Sequence, residues 1–593
     1  MKSKLSLFGK SIKLVWISAP GWALANIVIS LIRGFLPLLL LFLIKGLIDT
    51  ITGAAQASEL ALNEVLYTVI FIAIIWFLDE AASDIGNYVR KQQSVKLESY
   101  MYSLLHDKAS RLDLKYFETP NYYDILARSS REAPWRPNSI LNNCVSLFRG
   151  VVSLLLMVGV LFSFHWLLVL LLIAVNIPGL WLRLHYADIL YNFKREQTPE
   201  ERKMAYFNWI LTGNRPSREV RLFGLGDYFI SNFKESFKKT KEKEVDIIRK
   251  RSRIDLLSDL LKAVAVFVVF FMIASRTIKG YISLGEMSMG ILAFRQGMIY
   301  IRDIFGSMSG LYEDYLFVGD TFEFLDLKEN IVAIDPVKHI DGLTDGLVID
   351  NLTFSYPQSE NPTIKGVSFN IKKGEVVALV GANGAGKSTM VRLLSRLYDA
   401  DSGSILWDGV DIRHVDPKEY RKWISVVCQD FMLYNMSIGE NIRVGDVDRS
   451  IDNERIELSA KASGIYDLVN SMPKGFDTVI GTLFDDSREL SWGEWQKIAM
   501  SRSLYSDAPL LILDEPSSSL DANTEYEIFS RFREILKGRT AIIISHRFSN
   551  ITLADKIVVL DKGNVVEMGT HDELIAKEGT YYSMYTKQTS RLR

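Results

Sequence analysis

Up to about residue 315 the hydrophobic positions cluster into long runs, and beyond it they alternate with polar ones in the manner of a soluble α/β protein. Runs near 22–43, 65–82, 145–163, 167–183, 257–274 and 287–307 approach the ~20 residues a helix needs to cross a bilayer. Six membrane helices are therefore expected, the last two interrupted by Asp259, Lys262, Glu286 and Arg295. Lys2, Lys4, Lys10 and Lys13 precede the first run. That run is too long for the apolar part of a signal peptide and no small-residue cleavage site follows it, so it reads as an uncleaved membrane helix.

Charge sets the orientation. Residues 49–64 and the turn 164–166 hold no Lys or Arg, whereas 90–136 hold nine and 183–253 hold seventeen. The two basic segments, and with them both termini, are expected on the cytoplasmic side. Neither segment reads as a floppy loop. Between 56 and 119 the only Gly or Pro is Gly86, and 227–279 has neither. A ~50-residue helix is ~75 Å long against a hydrocarbon core of ~30 Å, so rods should project far into the cytoplasm. Their tips are turn-rich: Tyr116-Phe117-Glu118-Thr119-Pro120-Asn121-Tyr122-Tyr123-Asp124, and a second at 214–223. Exposed aromatics at such tips suggest docking on the soluble domain. Arg33, Asp79, Glu80, Arg149, Glu286 and Arg295 lie in or near the membrane runs. Such charges face a cavity or a partner, and the pattern alone gives none of them a role.

Composition adds limits. At 593 residues and 48% hydrophobic content the chain holds more than one domain. The net charge of −1 gives no field for nucleic acid. Cys144 and Cys428 lie far apart and in no metal-ligand spacing. Mean hydropathy is only +0.11 because an apolar front and a water-soluble back average out. The expected organisation is an all-α six-helix transmembrane domain at 1–315, a linker at 316–345, and an α/β P-loop domain at 346–593.

Chemistry enters at 381–389, G-A-N-G-A-G-K-S-T, after an apolar strand and before a helical stretch. This is a phosphate-binding loop. Gly381, Gly384 and Gly386 let the backbone curl, and the loop N–H groups, including those of Asn383 and Ala385, can converge on an anion. Lys387 adds a charge on the outer phosphates, Ser388 a hydroxyl for Mg²⁺, and Thr389 completes the set. Upstream, Tyr356 can stack on adenine. Gln429, after a strand, can reach the metal or the attacking water. The run Leu510-Leu511-Ile512-Leu513-Asp514-Glu515 reads as a buried parallel strand ending in two acids: Asp514 for Mg²⁺, Glu515 to polarise water. Asp521, just beyond, is counted with the nucleotide-binding residues. A last strand ends at His546, whose imidazole can hold the γ-phosphate and water in line.

The stretch Leu490-Ser491-Trp492-Gly493-Glu494-Trp495-Gln496 resembles the signature of ATP-binding cassette proteins, and with six spans before it the chain resembles a half-size ABC exporter with a type IV transmembrane fold. The resemblance implies a homodimer in the bacterial cytoplasmic membrane with two ATP molecules sandwiched between subunits, Ser491 and the backbone of Gly493 meeting the γ-phosphate held by the other subunit. The usual signature is Leu-Ser-Gly-Gly-Gln. Here Trp492 and Glu494 depart from it, and an upstream Gly-Glu pair is Gly481-Thr482. Within exporters, Tyr122-Tyr123-Asp124-Ile125-Leu126, Glu219-Val220-Arg221-Leu222 and Gly493-Glu494-Trp495-Gln496-Lys497-Ile498-Ala499 resemble the lantibiotic peptide exporters of the nisin-exporter type. A modified peptide is the expected cargo, membrane lipid the surroundings, and a lipid flippase or multidrug exporter the alternative.

Overall fold

The computed structural model describes residues 2–54, 62–119, 122, 125–126, 129–130, 132–357, 359–516, 538–545, 547, 551–552 and 554–589. It divides into two units, 1–112 with 119–327, and 113–118 with 328–593.

The first unit is helical. A short helix, Lys2–Ser18, precedes six long ones: Pro20–Ala54, Leu62–Arg111, Arg136–Phe164, Trp166–Thr212, Gly226–Ile278 and Leu284–Leu325. Pro20–Ala54, Leu62–Arg111, Arg136–Phe164 and Gly226–Ile278 are long and apolar enough to cross a membrane, and Trp166–Thr212 carries a shorter apolar segment at its start. At 53 residues, Gly226–Ile278 rises roughly 80 Å, far more than a bilayer holds. Leu161, Leu172, Val269, Ala293 and Phe294 pack at the centre of the unit. A Cβ on Gly297 would stand 2.9 Å from a Leu172 methyl, so glycine there permits the close helix contact. Amides join the helices further along: Asn26 Nδ2 donates to Asn142 Oδ1 at 2.9 Å and Gln93 Nε2 to Asn138 Oδ1 at 2.6 Å.

The last helix runs ten residues past 315, where the membrane pattern fades. Leu311, Val318, Phe322 and Leu325 keep helical spacing, with Val318 and Phe322 buried beside Ile140 and the other two packed against them. Hydropathy falls there, but the apolar face persists. The first aromatic tip divides. Residues 113–118 belong to the α/β unit, whereas Tyr122 is buried in the helical unit with its ring 6.2 Å from Phe324. Its residues 120, 121, 123 and 124 lie outside the described ones. At the second tip Leu222 and Phe223 are exposed.

The second unit has two sheets. Strands β1 (Gly346–Phe354), β2 (Ile364–Lys372), β4 (Ser402–Trp407) and β5 (Val410–Asp411) form an antiparallel sheet in the order β2-β1-β4-β5. The larger sheet runs β10-β9-β3-β8-β7-β6, from Asn564–Gly569, Lys556–Asp561, β3 Val376–Gly381, β8 Thr540–Ile544, β7 Leu510–Asp514 and β6 Ile424–Val427. Strand β10 pairs antiparallel and the rest pair parallel. Every residue of β3, β7 and β8 is buried, as expected of parallel strands covered on both faces. With β8 between them, the carboxyl ends of β3 and β7 open on the same edge of the sheet.

Residues 328–345 are bound rather than slack. Ile334 N–H donates to Arg413 O and Lys338 N–H to His414 O, each at 2.8 Å. Arg396, fully buried with φ +49°, donates to the carbonyls of Val415, Val332 (2.8 Å) and Arg413 (3.2 Å) and to Asp399 (3.2 Å). Its replacement strands the buried Val415 carbonyl and takes a donor from those of Val332 and Arg413. Arg396→Met should cost on the order of 3 kcal/mol, seen as a lower unfolding temperature of the α/β unit and faster amide exchange at 332–338.

Candidate functional site

Strand β3 delivers the chain into the loop at Gly381. Gly384 and Gly386 have φ of +80° and +104°, and a Cβ on Gly386 would meet the Ile364 Cδ1 at 2.7 Å. Only glycine makes this turn without strain. The helix Lys387–Leu394 starts directly at its end, capped by Gly386, so the free N–H groups of its first turn and its positive end meet the loop. Ala385 is buried while Asn383 and Gly384 stand at the exposed tip. Lys387 is buried with Nζ donating to Gly381 O (2.8 Å) and Ala382 O (3.0 Å). Burial holds its pKa below the usual lysine range, although the charges of Glu515 and Asp514 oppose this.

At the end of β7, Asp514 is buried and its Oδ1 has no hydrogen-bond partner. Burial first, then the neighbouring charge of Glu515, pushes its pKa up to about 6. A cavity of about 420 Å³ is lined by Asp514, Ser388, Gln429, Cys428 and Arg392, among others. A hydroxyl, an amide and an orphaned carboxylate on one cavity are hard oxygen donors, the set that suits Mg²⁺. An arriving cation would satisfy the stranded oxygen.

Glu515 follows in a left-handed conformation, φ +52°, which costs a non-glycine residue energy unless its surroundings fix it. Two contacts do so: its N–H donates to Ile544 O of β8 at 2.9 Å, and its carbonyl accepts from Gln496 Nε2 at 3.3 Å. Its side-chain Oε2 accepts from Gln429 Nε2 at 3.2 Å. Gln429 thus holds the carboxylate while facing the cavity of Ser388 and Asp514. Gln496, buried in the helix Trp492–Tyr505, was legible only as part of a motif; that it positions Glu515 comes from tertiary structure. His546 and Asp521 lie outside the described residues.

Tyr356 is fixed beside the loop. Its hydroxyl lies 3.0 Å from Thr389 Oγ1 and accepts from Arg392 Nη1 at 3.0 Å, and its ring meets Phe354 and Tyr398 edge-on. The same Arg392 nitrogen is 3.0 Å from Glu118 Oε1, and Tyr398 donates to the other Glu118 oxygen. Asp113 accepts from Asn330 N and Nδ2, both at 2.9 Å, and Tyr116 donates to Lys328 O. Residues 113–118, continuing from the helix Leu62–Arg111, are therefore tied to the residues beside the phosphate loop.

Ser491 caps the helix Trp492–Tyr505, and Glu494 completes a reciprocal box: its Oε2 accepts Ser491 N–H at 2.7 Å, and its N–H donates to Ser491 Oγ at 3.4 Å. The glutamate at the usual glutamine position serves this cap and adds a favourable charge at the helix start. Trp492 packs on Phe431 with centroids 5.0 Å apart, leaving it half exposed. Phe431 follows Gln429 by two residues, so the unusual tryptophan joins the signature to the cavity wall. Upstream, Gly481 has φ +114° and Thr482 N–H donates to Asn435 Oδ1 at 3.0 Å. Ser491 and Gly493 do not line the cavity of Ser388 and Asp514.

Residues 23–299 match the ABC transporter transmembrane region and residues 364–518 the ABC transporter family. The subtilin transport ATP-binding protein of Bacillus subtilis is 31% identical over 97% of this chain and 93% of its own length. The chain is a half-size ABC exporter. Its ATP-binding domain couples nucleotide hydrolysis to transport across the membrane in which it is embedded. The exporter is also 28% identical to the nisin transport ATP-binding protein of Lactococcus lactis subsp. lactis, covering 97% and 95% of the two chains, and 30% identical to an ATP-dependent lipid A-core flippase of Methylobacillus flagellatus over 80% of each. In fold it matches a bacterial Atm1-family ABC exporter with ATP bound, TM-score 0.80 at 22% identity over 95% and 98% of the chains.

The cap gives a direct test of why this exporter carries Glu494. Glu494→Ala should cost about 1 kcal/mol locally, speeding amide exchange at 492–495, while Glu494→Gln, which can still accept the Ser491 N–H, should leave it slow.

Proposed function

We infer that this exporter works as a homodimer in the bacterial cytoplasmic membrane, with its ATPase domains and termini in the cytoplasm, and that it exports a modified peptide. The full-length likeness to proteins named for transport of subtilin and nisin carries the peptide reading. A lipid flippase is the second reading, supported by the 30% identity to a lipid A-core flippase.

In the proposed cycle Tyr356 stacks on the adenine. The backbone of Gly381, Asn383, Gly384, Ala385 and Gly386 and the side chains of Lys387 and Thr389 bind the phosphates. Ser388, Gln429 and Asp514 hold Mg²⁺, which when bound neutralises charge on the outer phosphates. The orphaned Asp514 oxygen supports this assignment. Glu515 accepts the proton of the water that attacks the γ-phosphorus as the bond to the bridging oxygen of ADP breaks. Gln429 keeps that carboxylate in place, and His546 and Asp521 complete the site. The partner subunit's Ser491 and the partner subunit's Gly493 close on the γ-phosphate, so two ATPs lie between the subunits. Closure turns the membrane cavity outward and hydrolysis resets it.

Glu515→Gln should lower kcat by more than about 100-fold while ATP still binds and the dimer still closes; unchanged turnover would sink the assignment of the base. Inside-out vesicles offered a peptide mixture and a labelled lipid, with this variant as blank, separate the two cargo readings: ATP-dependent accumulation of peptide alone supports peptide export, movement of lipid alone the flippase. Glu118→Gln, by loosening Arg392 and hence Tyr356, should raise KM for ATP about threefold with kcat unchanged in steady-state hydrolysis.

A further inference from the structure

Near the outer end of the membrane unit, Lys45 Nζ bonds Glu286 Oε1 at 3.0 Å and Gly285 N–H donates to Asp49 Oδ1 at 3.0 Å. Nine residues further along the helix Leu284–Leu325 stands Arg295. At 1.5 Å per residue this puts it ~13 Å deeper, close to the middle of a ~30 Å hydrocarbon core. An arginine at that depth is costly unless something neutralises it. Among the described residues Arg295 has no ion-pair partner.

Arg295 also sits where two cavities meet. One, about 320 Å³, has an apolar wall of Leu36, Leu40, Ile44, Ile75 and Trp76, with Asp79 and Gln296 as its other polar groups. The second, about 620 Å³, is polar, with Asn176, Arg251, Asp255, Asp259, Lys262 and Arg302 on its wall. Every acid facing Arg295 across these spaces already has a base: Asp79 with Arg33 (3.4 Å), Asp255 with Arg251 (3.6 Å) and Asp259 with Lys262 (2.8 Å). The uncompensated charge is positive. A ligand that suits both spaces has apolar side chains for the first, a hydrogen-bonding backbone for the second, and an anionic group where they join. Acyl chains would gain nothing against the charged wall of the larger cavity, which favours a peptide over a lipid.

The geometry points to Arg295 as the cation that recognises a carboxylate of the transported peptide, with the cleft of Leu36, Ile75 and Trp76 receiving an apolar side chain beside it. This rests on the peptide-export reading and adds a charge requirement to it. The test uses the full-length exporter in vesicles of neutral phospholipid and two synthetic apolar peptides that differ only in carrying glutamate or glutamine. Stimulated ATP hydrolysis should reach half its maximum at ~tenfold lower concentration of the glutamate peptide. Arg295→Lys should keep that preference and Arg295→Gln should erase it. Equal stimulation by both peptides in the unaltered protein, or a preference surviving in Arg295→Gln, overturns the proposal and leaves peptide export standing. If neither peptide stimulates and labelled lipid moves instead, the peptide reading falls and this proposal with it. Because the first comparison uses the unaltered protein, a variant that fails to fold does not spoil the test.

Discussion

A carboxylate buried without a partner is the constraint on which the ATPase half depends. Asp514 ends a fully buried strand, one of its oxygens bonds nothing, and its ionisation is opposed by burial and by Glu515 next door. Protein groups alone do not relieve this: Lys387, the nearby cation, spends its hydrogen bonds on the carbonyls of its own loop. The site is thus assembled short of a cation and an anion at once, which is what a metal–phosphate ligand supplies together. Such a site gains most when both arrive, and the sheet order that sets β3 and β7 on either side of β8 brings the two deficits to one edge.

Around this point the protein fixes geometry from several directions. Glu515 holds a left-handed backbone because β8 takes its N–H and Gln496 its carbonyl, so the signature helix and the central sheet both touch the residue assigned as base. Trp492 on Phe431 joins the same helix to the segment carrying Gln429. On the other side, Glu118 holds Arg392, which holds Tyr356. Any shift of residues 113–118 therefore reaches the nucleotide side through two polar contacts. The membrane half shows the complementary economy: the acids on its two cavities are matched to bases, and Arg295, where the cavities meet, has no ion-pair partner among the described residues.

What the sequence determined by itself was the order of parts and the chemistry of each. The phosphate loop, the two acids at a strand end, the signature and the runs of membrane length follow from local rules, glycine conformations, strand burial and helix length, that act over a few residues and can be read along the chain. Past 315 hydropathy falls while an amphipathic face persists, and the last long helix continues on Val318, Phe322 and Leu325. Only the tertiary structure decided that Gln429 grips Glu515, that Trp492 has a partner in Phe431, that Glu118 reaches Arg392, and that Asp79, Asp255 and Asp259 around Arg295 are each matched to another base. Most of these pairings join residues tens or hundreds of positions apart, and which of many possible partners a side chain meets is set by how helices and strands pack, a property that no stretch of sequence carries on its own.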